Sequence, residues 1–326
     1  MKLSRRKFLY LVAGPAALPA VPRAARAQGY PSRPVRIIVG FAPGGAQDMY
    51  ARLIGQRLSE RLGQPVIIEN RPGASGNIGT EAVVRAAPDG HTLLLLGPPN
   101  AINATLYDKV NFNVVHDIRP ITGIVREFLI MAVNPLVPAQ TVPEFIAYAK
   151  ANPGKVNMAS SGNATGPHLT GELFKMMAGV ELVHVPYRGA SLALSDLLAG
   201  QVQVMIGTAL SASIEHVRTG KLRALAVTTA MRSTLLPEVP TVGEFIPGFE
   251  SSGWFGVGAP MNTPVEIIER LNSEITTVLS DPKLRRRFAD LGAVPMPMTP
   301  TELRMLIEQE IEKWAKVIRA ANVKPQ

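Results

Sequence analysis

Residues 35–45 read Val-Arg-Ile-Ile-Val-Gly-Phe-Ala-Pro-Gly-Gly, and this stretch decides the fold. Its first seven residues are mostly β-branched or apolar, which predicts a strand buried on both faces of a sheet. Pro43, Gly44 and Gly45 then break the strand. Residues 48–62 follow with apolar side chains at helical spacing. A strand, a glycine loop and a helix in this order form the first half of a βαβ unit.

The same alternation continues outward along the chain. Further strands are predicted at 65–70, 91–96, 128–133, 156–159, 181–186, 202–206, 222–228 and 255–259. A glycine-rich turn at 71–79 leads into a helix that ends near 87, and further helices are predicted at 142–151, 167–178, 191–199, 211–219, 264–279, 282–291 and 301–321. Strands that alternate with helices predict an α/β protein with parallel sheets.

The length of 326 residues predicts two domains of ordinary size, at about 150 residues each. Three helices close the chain after the last strand, and we expect them to return to the first domain. Domain 1 then comprises residues 28–127 plus 252–326, and domain 2 comprises residues 128–251. Two crossings, near 125–130 and 248–254, would form a two-stranded hinge.

Composition and charge exclude several classes of protein. Apolar residues make up 46% of the chain and charged residues 18%, which excludes a disordered chain or a coiled coil. The chain has no cysteine, so disulfides, iron–sulfur clusters and cysteine nucleophiles are excluded. The net charge is +9, but six basic residues lie in the first 27. Without those six, the chain has 28 basic and 25 acidic residues, a net charge of only +3, so we expect no nucleic-acid partner.

Residues 1–27 have the layout of an export signal. Arg5, Arg6 and Lys7 precede an apolar stretch, and Ala25-Arg26-Ala27 forms a cleavage site before Gln28. The arginine pair predicts the twin-arginine route, with the general secretory route as the alternative. A membrane anchor is the other interpretation, but two prolines interrupt the short apolar stretch. We therefore expect a periplasmic protein.

Two glycine loops form the candidate binding site. Loop one, residues 41–48, reads Phe-Ala-Pro-Gly-Gly-Ala-Gln-Asp, and loop two, residues 160–168, reads Ser-Ser-Gly-Asn-Ala-Thr-Gly-Pro-His. Each connects a strand to a helix, so it places free N–H groups and the positive end of a helix at the edge of a sheet where ligands bind. This arrangement predicts an anion, either a phosphate or a carboxylate. The alternative is two tight turns without a ligand.

The sequence lacks the motifs of several more specific binding sites and active sites. The chain has no Walker phosphate loop, no G-x-G-x-x-G and no G-x-S-x-G nucleophile elbow. Residues 73–79 only approximate a phosphate loop and are interpreted as a helix entry beside the cleft. Ser161 and His168 lack an orienting acid, and His168 with Glu172 lacks a third metal ligand. We expect no catalytic residue, no metal and no cofactor.

At these loops the sequence resembles the Bug-type periplasmic solute receptors, the substrate-binding components of tripartite tricarboxylate transporters. The resemblance covers residues 28–326, and its motifs occur in the family's order. The matching segments are 34–45 with Asp48, 66–79, 88–93, 160–168, 172–175, 183–189, 196–202, 220–227, 237–241 and 253–256.

The resemblance implies a type II periplasmic binding protein fold, in which two doubly wound α/β domains on a two-stranded hinge close over a small organic carboxylate. It also implies that backbone groups and ordered waters hold the carboxylate, without an obligatory arginine. Carried over to this sequence, the ligand-binding residues are Phe41, Ala42, Pro43, Gly44, Gly45 and Asp48 in loop one, Ser160, Ser161, Gly162, Asn163, Thr165 and His168 in loop two, and Tyr187 and Gly189 at the mouth.

The resemblance further implies a receptor that passes its ligand to the membrane components of the transporter. The apolar segments fit two closed cores, so we expect a monomer. A lone receptor that acts through a signalling partner is the alternative, and an exported enzyme is a third. The family's ligands include dicarboxylates, tricarboxylates, acidic amino acids and aromatic acids. Two positions depart from the family pattern. Thr208 stands where many relatives have an acidic or amide residue, which weakens the case for an ammonium ligand, and Asn100 stands where Ser or Thr is common.

Overall fold

The computed structural model describes residues 29–107, 109–208 and 211–325, and the predicted export signal at 1–27 lies outside them. The strands are β1 (Val35–Val39), β2 (Val66–Asn70), β3 (Thr92–Leu96), β4 (Ile118–Glu127), β5 (Leu129–Val133), β6 (Asn157–Ser160), β7 (Val183–Pro186), β8 (Val204–Thr208), β9 (Arg223–Val227), β10 (Gly253–Pro260) and β11 (Ala293–Pro295). The helices are α1 (Ala46–Leu62), α2 (Asn77–Val84), α3 (Pro98–Leu106), α4 (Val114–Asp117), α5 (Val142–Ala151), α6 (Gly166–Ala178), α7 (Ala190–Leu198), α8 (Ser211–Arg218), α9 (Val265–Leu279), α10 (Pro282–Asp290) and α11 (Pro300–Ala320).

The strands form two sheets. The first has the order β11-β4-β10-β3-β1-β2 and the second the order β7-β6-β8-β5-β9. We call the first sheet with its helices the first lobe, and the second sheet with its helices the second lobe. The predicted α/β class with two doubly wound units is confirmed.

The expectation of parallel strands is correct for four of the described strand pairs and wrong for the other five, which include the antiparallel edge pair of β4 and β11. Strand β1 is parallel to β2 and β3, and β6 is parallel to β7 and β8. In contrast, β10 lies antiparallel between β3 and β4, and β5 lies antiparallel between β8 and β9. Each of these is the first strand after the chain has changed lobes. No helix reverses the chain there, so the strand runs opposite to its neighbours.

The sequence analysis did not predict α3, α4 and β4, which lie within residues 98–127, or the short strand β11. The sequence analysis assigned no element to Pro98 and Pro99, although proline is well placed in the first turn of a helix, where it begins α3. Strand β4 contains Pro120 and Gly123, two residues that are unfavourable inside strands. Strand β11 has only three residues and pairs at the sheet edge, so its sequence signal is weak.

The two lobes have separate aromatic packing. In the first lobe the Tyr50 ring lies 5.2 Å from Phe255 and 5.7 Å from Phe288, between centroids. In the second lobe Phe174 packs between Phe145 and Phe249 at 6.2 and 6.3 Å. Burial of these large rings stabilises the surfaces that face each other across the cleft.

Three glycines let loop one approach the start of α2. A Cβ on Gly40 would lie 2.7 Å from the Cα of Gly76, and a Cβ on Gly79 would lie 2.9 Å from the Cα of Gly40. Gly76 also has a positive φ of 92°. Only residues without a side chain allow this backbone contact. The segment at 73–79 is therefore a packed helix entry that supports loop one, as the sequence analysis interpreted it.

Candidate functional site

A cavity of about 220 Å³ lies between the two lobes. We call it the interlobe cavity. Its first-lobe wall comes from loop one and the starts of α1 and α3, and its second-lobe wall comes from the start of α6. The crossing segments, Phe255 of β10 and Trp314 of α11 form the rest. The lining residues are Phe41, Gly45, Ala46, Gln47, Pro98, Pro99, Glu127, Leu129, Gly166, Pro167, Thr170, Ser251, Ser252, Gly253, Phe255 and Trp314.

Loop one brings the N-terminus of α1 to this cavity. Gly45 is the N-cap residue and has extended backbone, with φ −79° and ψ 170°. The first N–H groups of a helix have no partner within the helix. Gly45, Ala46 and Gln47 line the cavity, and no described hydrogen bond uses their N–H groups. This end of α1 therefore offers donors and a positive dipole to an anion.

Asp48 fixes the conformation of loop one and does not line the cavity. Its Oδ2 accepts a hydrogen bond from the Gly44 N–H at 3.0 Å and from Arg52 Nε at 2.9 Å. Its Oδ1 accepts one from Asn70 Nδ2 at 2.9 Å. The hydrogen bond from Arg52, aided by those from Gly44 and Asn70, lowers the pKa of Asp48 to about 2. The carboxylate stays ionised and holds Gly44 at its positive φ of 89°.

We expect Asp48→Asn to lower the free energy of unfolding at pH 7 by about 1–3 kcal/mol, because it removes the charge from three hydrogen bonds. The folded-state pKa lies below the ordinary value, so this stabilisation is present at neutral pH and is lost as the pH falls from about 4 towards 2. Urea unfolding at several pH values measures the difference. Glu312→Gln, which breaks the exposed pair with Lys316, is the control and should change little. Equal stability of Asp48→Asn and the unmodified protein at pH 7 would contradict this role.

The start of α3 forms an apolar wall. Pro98 and Pro99 have no N–H, and the Asn100 side chain accepts a hydrogen bond from the Gly97 N–H at 2.9 Å. The Asn100 N–H is bonded to the Gly97 carbonyl at 3.0 Å. This helix start therefore contributes proline ring carbons to the cavity wall and no N–H donors.

The second-lobe wall is the first turn of α6, which contains the last residues of loop two. Gly166 and Pro167 line the cavity with Thr170, and the Thr170 hydroxyl lies 2.7 Å from the Ser251 hydroxyl. Ser251 belongs to the returning crossing, so this contact joins α6 to that crossing. The resemblance placed contacts at other residues of this lobe, and none of them lines the cavity: Ser160, Ser161, Gly162, Asn163, Thr165, His168, Tyr187 and Gly189.

Loop two is held by its own hydrogen bonds. The buried Ser160 hydroxyl lies 2.7 Å from His184 Nε2 and donates to the Gly162 carbonyl at 3.0 Å. Thr165 is the N-cap of α6, and its hydroxyl donates to the Gly162 carbonyl at 2.8 Å. The Ser161 hydroxyl is 3.5 Å from the Thr165 hydroxyl. These side chains shape the loop that precedes the cavity wall.

His168 is a buried structural residue in this arrangement. Its Nδ1 accepts a hydrogen bond from the Ala164 N–H at 2.9 Å, and its ring stacks on His184 at 3.6 Å between centroids. Burial, followed by the neighbouring His168, lowers the pKa of His184 to about 4. Ser160 is fully buried, so the Ser160–His184 contact offers no accessible nucleophile.

The remaining predicted residues lie outside the cavity lining. Ala42, Pro43 and Gly44 are exposed in loop one. The Asn163 amide donates to the Lys324 carbonyl at 3.2 Å, a contact from loop two to the C-terminal segment. The Tyr187 hydroxyl donates to Asp196 at 2.6 Å, and Gly189 is the N-cap of α7. Of the predicted site residues, the structure places Phe41 and Gly45 in the lining.

Glu127 and Trp314 line the cavity and were missed by the sequence analysis. Glu127 ends β4, and its Oε1 accepts a hydrogen bond from the Tyr50 hydroxyl at 2.6 Å. Burial raises the pKa of Glu127 to about 7, although the hydrogen bond from Tyr50 opposes the shift. The Trp314 Nε1–H donates to Glu310 at 2.8 Å, which orients the ring. A lone acid at a strand end and a tryptophan in a closing helix carry no motif, so only the fold identifies them.

Among the described residues, no three His, Cys, Asp or Glu side chains are grouped as metal ligands. Within that same part of the chain, no helix is long and apolar enough to cross a membrane.

Comparison with known proteins identifies relatives along almost the whole chain. Residues 50–323 match the model of the tripartite tricarboxylate transporter family receptor. The chain is 39% identical to Protein BugT of Bordetella pertussis over 301 residues, which is 91% of this chain and 92% of that protein.

Solved structures give the same result. An R. palustris protein, Rpa4515, solved with adipate, is 37% identical and superposes with a TM-score of 0.79 over 91% of this chain and 100% of its own. MatC from Rhodopseudomonas palustris, solved with bound malate, is 31% identical with a TM-score of 0.75 over 89% and 100%. These likenesses confirm the predicted type II fold and the predicted family. The chain belongs to the receptor family of the tripartite tricarboxylate transporters.

Proposed function

We propose that this protein is a periplasmic receptor that binds a small organic carboxylate in the interlobe cavity and delivers it to the membrane components of a tripartite tricarboxylate transporter. The observation that carries the proposal is the first turn of α1, which presents the N–H groups of Gly45, Ala46 and Gln47 to the cavity. Of the described residues that line the cavity, none is lysine or arginine. Backbone donors at a helix N-terminus are therefore the anion-binding groups at hand.

The composition of the lining favours an organic acid over an inorganic anion. Carbon-rich surfaces of Phe41, Phe255, Trp314 and Leu129 face the cavity beside the α1 donors. Such a cavity suits a ligand with one charged end and an apolar body. The relatives solved with adipate and with malate support a carboxylate ligand.

Delivery to a transporter requires export and a movable cleft. We propose that residues 1–27 direct export and that residues 28–127 plus 252–326 form one domain and 128–251 the other. The crossings at Glu127–Leu129 and Ser251–Gly253 would then be the hinge. Ligand binding favours the closed arrangement to the extent that both lobes contact the ligand. The protein is proposed to act as a monomer without a cofactor.

A thermal-shift screen tests the proposal. The chain from Gln28 is mixed with mono-, di- and tricarboxylates, acidic amino acids and aromatic acids, with the matching amides and alcohols as controls. A ligand that binds only the folded state at a hundred times its Kd stabilises it by about 2.7 kcal/mol. We expect at least one acid, and not its amide, to raise Tm and to be recovered unchanged. Stabilisation by uncharged compounds alone, or chemical turnover of the acid, would contradict the proposal.

A further inference from the structure

Glu127 is the one ionisable side chain among the described residues that line the interlobe cavity. An acid is unexpected there, because the same cavity presents the α1 donors that suit an anion. Two negative charges in one desolvated site repel each other, so either the ligand carboxylate or Glu127 must be protonated in the complex. The surroundings of Glu127 decide between these possibilities.

Within the described part of the chain, no cation forms an ion pair with Glu127. It is 4% exposed, and no described ion pair includes it. Its neighbour Arg126 alternates to the opposite face of the sheet and pairs with Glu250 at 3.1 Å. The strands paired with Glu127 place Gly253 and Ala293 beside it, neither of which is titratable. From α1 the titratable group in contact is Tyr50, and burial raises its pKa further above the ordinary value.

The two oxygens of Glu127 have different surroundings. Oε1 accepts the hydrogen bond from Tyr50 at 2.6 Å. Oε2 has no hydrogen-bond partner among the described residues, and Gly253 leaves it room, since a Cβ there would lie 2.7 Å from Oε2. Tyr50 therefore fixes the carboxyl group through one oxygen and leaves the other for an occupant of the cavity.

We propose that Glu127 is a ligand-binding residue that is protonated in the complex and donates a hydrogen bond from Oε2 to an oxygen of the bound carboxylate. This inference rests on the proposed function, because it takes the ligand to be an anion. A neutral carboxyl group adds a donor to the α1 amides without adding charge. Its raised pKa, near 7 in the free protein, makes protonation inexpensive at neutral pH. An ionised Glu127 would instead repel the ligand, so binding takes up a proton above that pH.

Titration calorimetry of the chain from Gln28 tests this with the acid that gives the largest Tm shift at pH 6 in the screen. With a free-protein pKa near 7, the affinity should fall about tenfold between pH 6 and pH 8. At pH 8, measurements in two buffers of different ionisation enthalpy should reveal uptake of about 0.9 proton per ligand. This readout needs no variant.

Glu127→Gln should mimic the protonated acid, because its amide oxygen still accepts from Tyr50 and its amide nitrogen donates into the cavity. We expect its affinity at pH 6 to stay within about threefold of the unmodified protein, and at pH 8 to exceed it about tenfold, without proton uptake. Glu250→Gln, a change at an exposed acid beside the hinge, is the matched control and should keep the pH dependence.

The outcomes separate this inference from the proposed function. If an acid binds but neither its affinity nor its proton uptake changes with pH, the role of Glu127 is overturned while the receptor function stands. Loss of binding in Glu127→Gln at pH 6 without proton uptake by the unmodified protein also overturns it, since Glu127 would then accept a hydrogen bond as an anion. If no acid binds at pH 6, the proposed function fails as well.

Discussion

Gly45→Val should abolish carboxylate binding, with at least about a hundredfold loss of affinity, while the protein folds normally. Gly45 has extended backbone that any residue adopts, and the nearest atom to an added Cβ is the Ala42 carbonyl oxygen at 3.9 Å. The new side chain therefore causes no strain in the protein. Since Gly45 lines the cavity, the isopropyl group would occupy the space in which the carboxylate meets the α1 amides.

Titration calorimetry with the best acid of the screen measures this loss, and Gly45→Ala should give an intermediate one. Arg188→Ala is the control, because Arg188 is exposed and does not line the cavity. If Arg188→Ala abolished binding while Gly45→Val bound normally, an ion pair and not the backbone would hold the ligand.

Gly40→Ala should lower the free energy of unfolding by about 3 kcal/mol, because the added methyl group would overlap the backbone at the start of α2. The Cβ would lie 2.7 Å from the Gly76 Cα and 2.9 Å from its carbonyl oxygen. These are backbone atoms, so no side-chain rotation relieves the overlap. Loop one would be displaced from α2, and we expect ligand affinity to fall with stability.

Urea unfolding measures the change, and Gly79→Ala should behave similarly because its Cβ would lie 2.9 Å from Gly40 Cα. Gly45→Ala is the matched control in loop one, because its methyl group would have no contact shorter than 3.9 Å. Stability of Gly40→Ala within about 0.5 kcal/mol of the control would show that Gly40 is not packed against the helix entry at 73–79 as described.

Periodicity and glycine placement were sufficient to predict the α/β class and most of the elements. Helix α5 has the bounds expected from Pro143 and the apolar spacing. The antiparallel direction of β5 and β10 could not be predicted from their own residues, since the direction of a strand depends on where the chain crosses between the lobes. Strand β4 was missed for a related reason: its residues are selected by neighbours on β10 and β11, and its proline and glycine hide the strand pattern.

The candidate site was predicted in outline and not in detail. Glycines at a strand–helix junction indicated the start of α1 as a candidate site, and the structure places Phe41 and Gly45 in the cavity lining. The same pattern could not separate residues that line a cavity from residues that shape a loop, such as Asp48 and Ser160. Glu127 joins the site through a tertiary hydrogen bond to Tyr50, which lies 77 positions away in sequence.

A crystal structure of the complex with the best acid tests the central claim most directly. We expect the ligand in the interlobe cavity, with a carboxylate oxygen within about 3 Å of the N–H groups of Gly45, Ala46 or Gln47 and with no arginine or lysine in contact. A carboxylate paired with a basic side chain, or a ligand bound outside this cavity, would contradict the account.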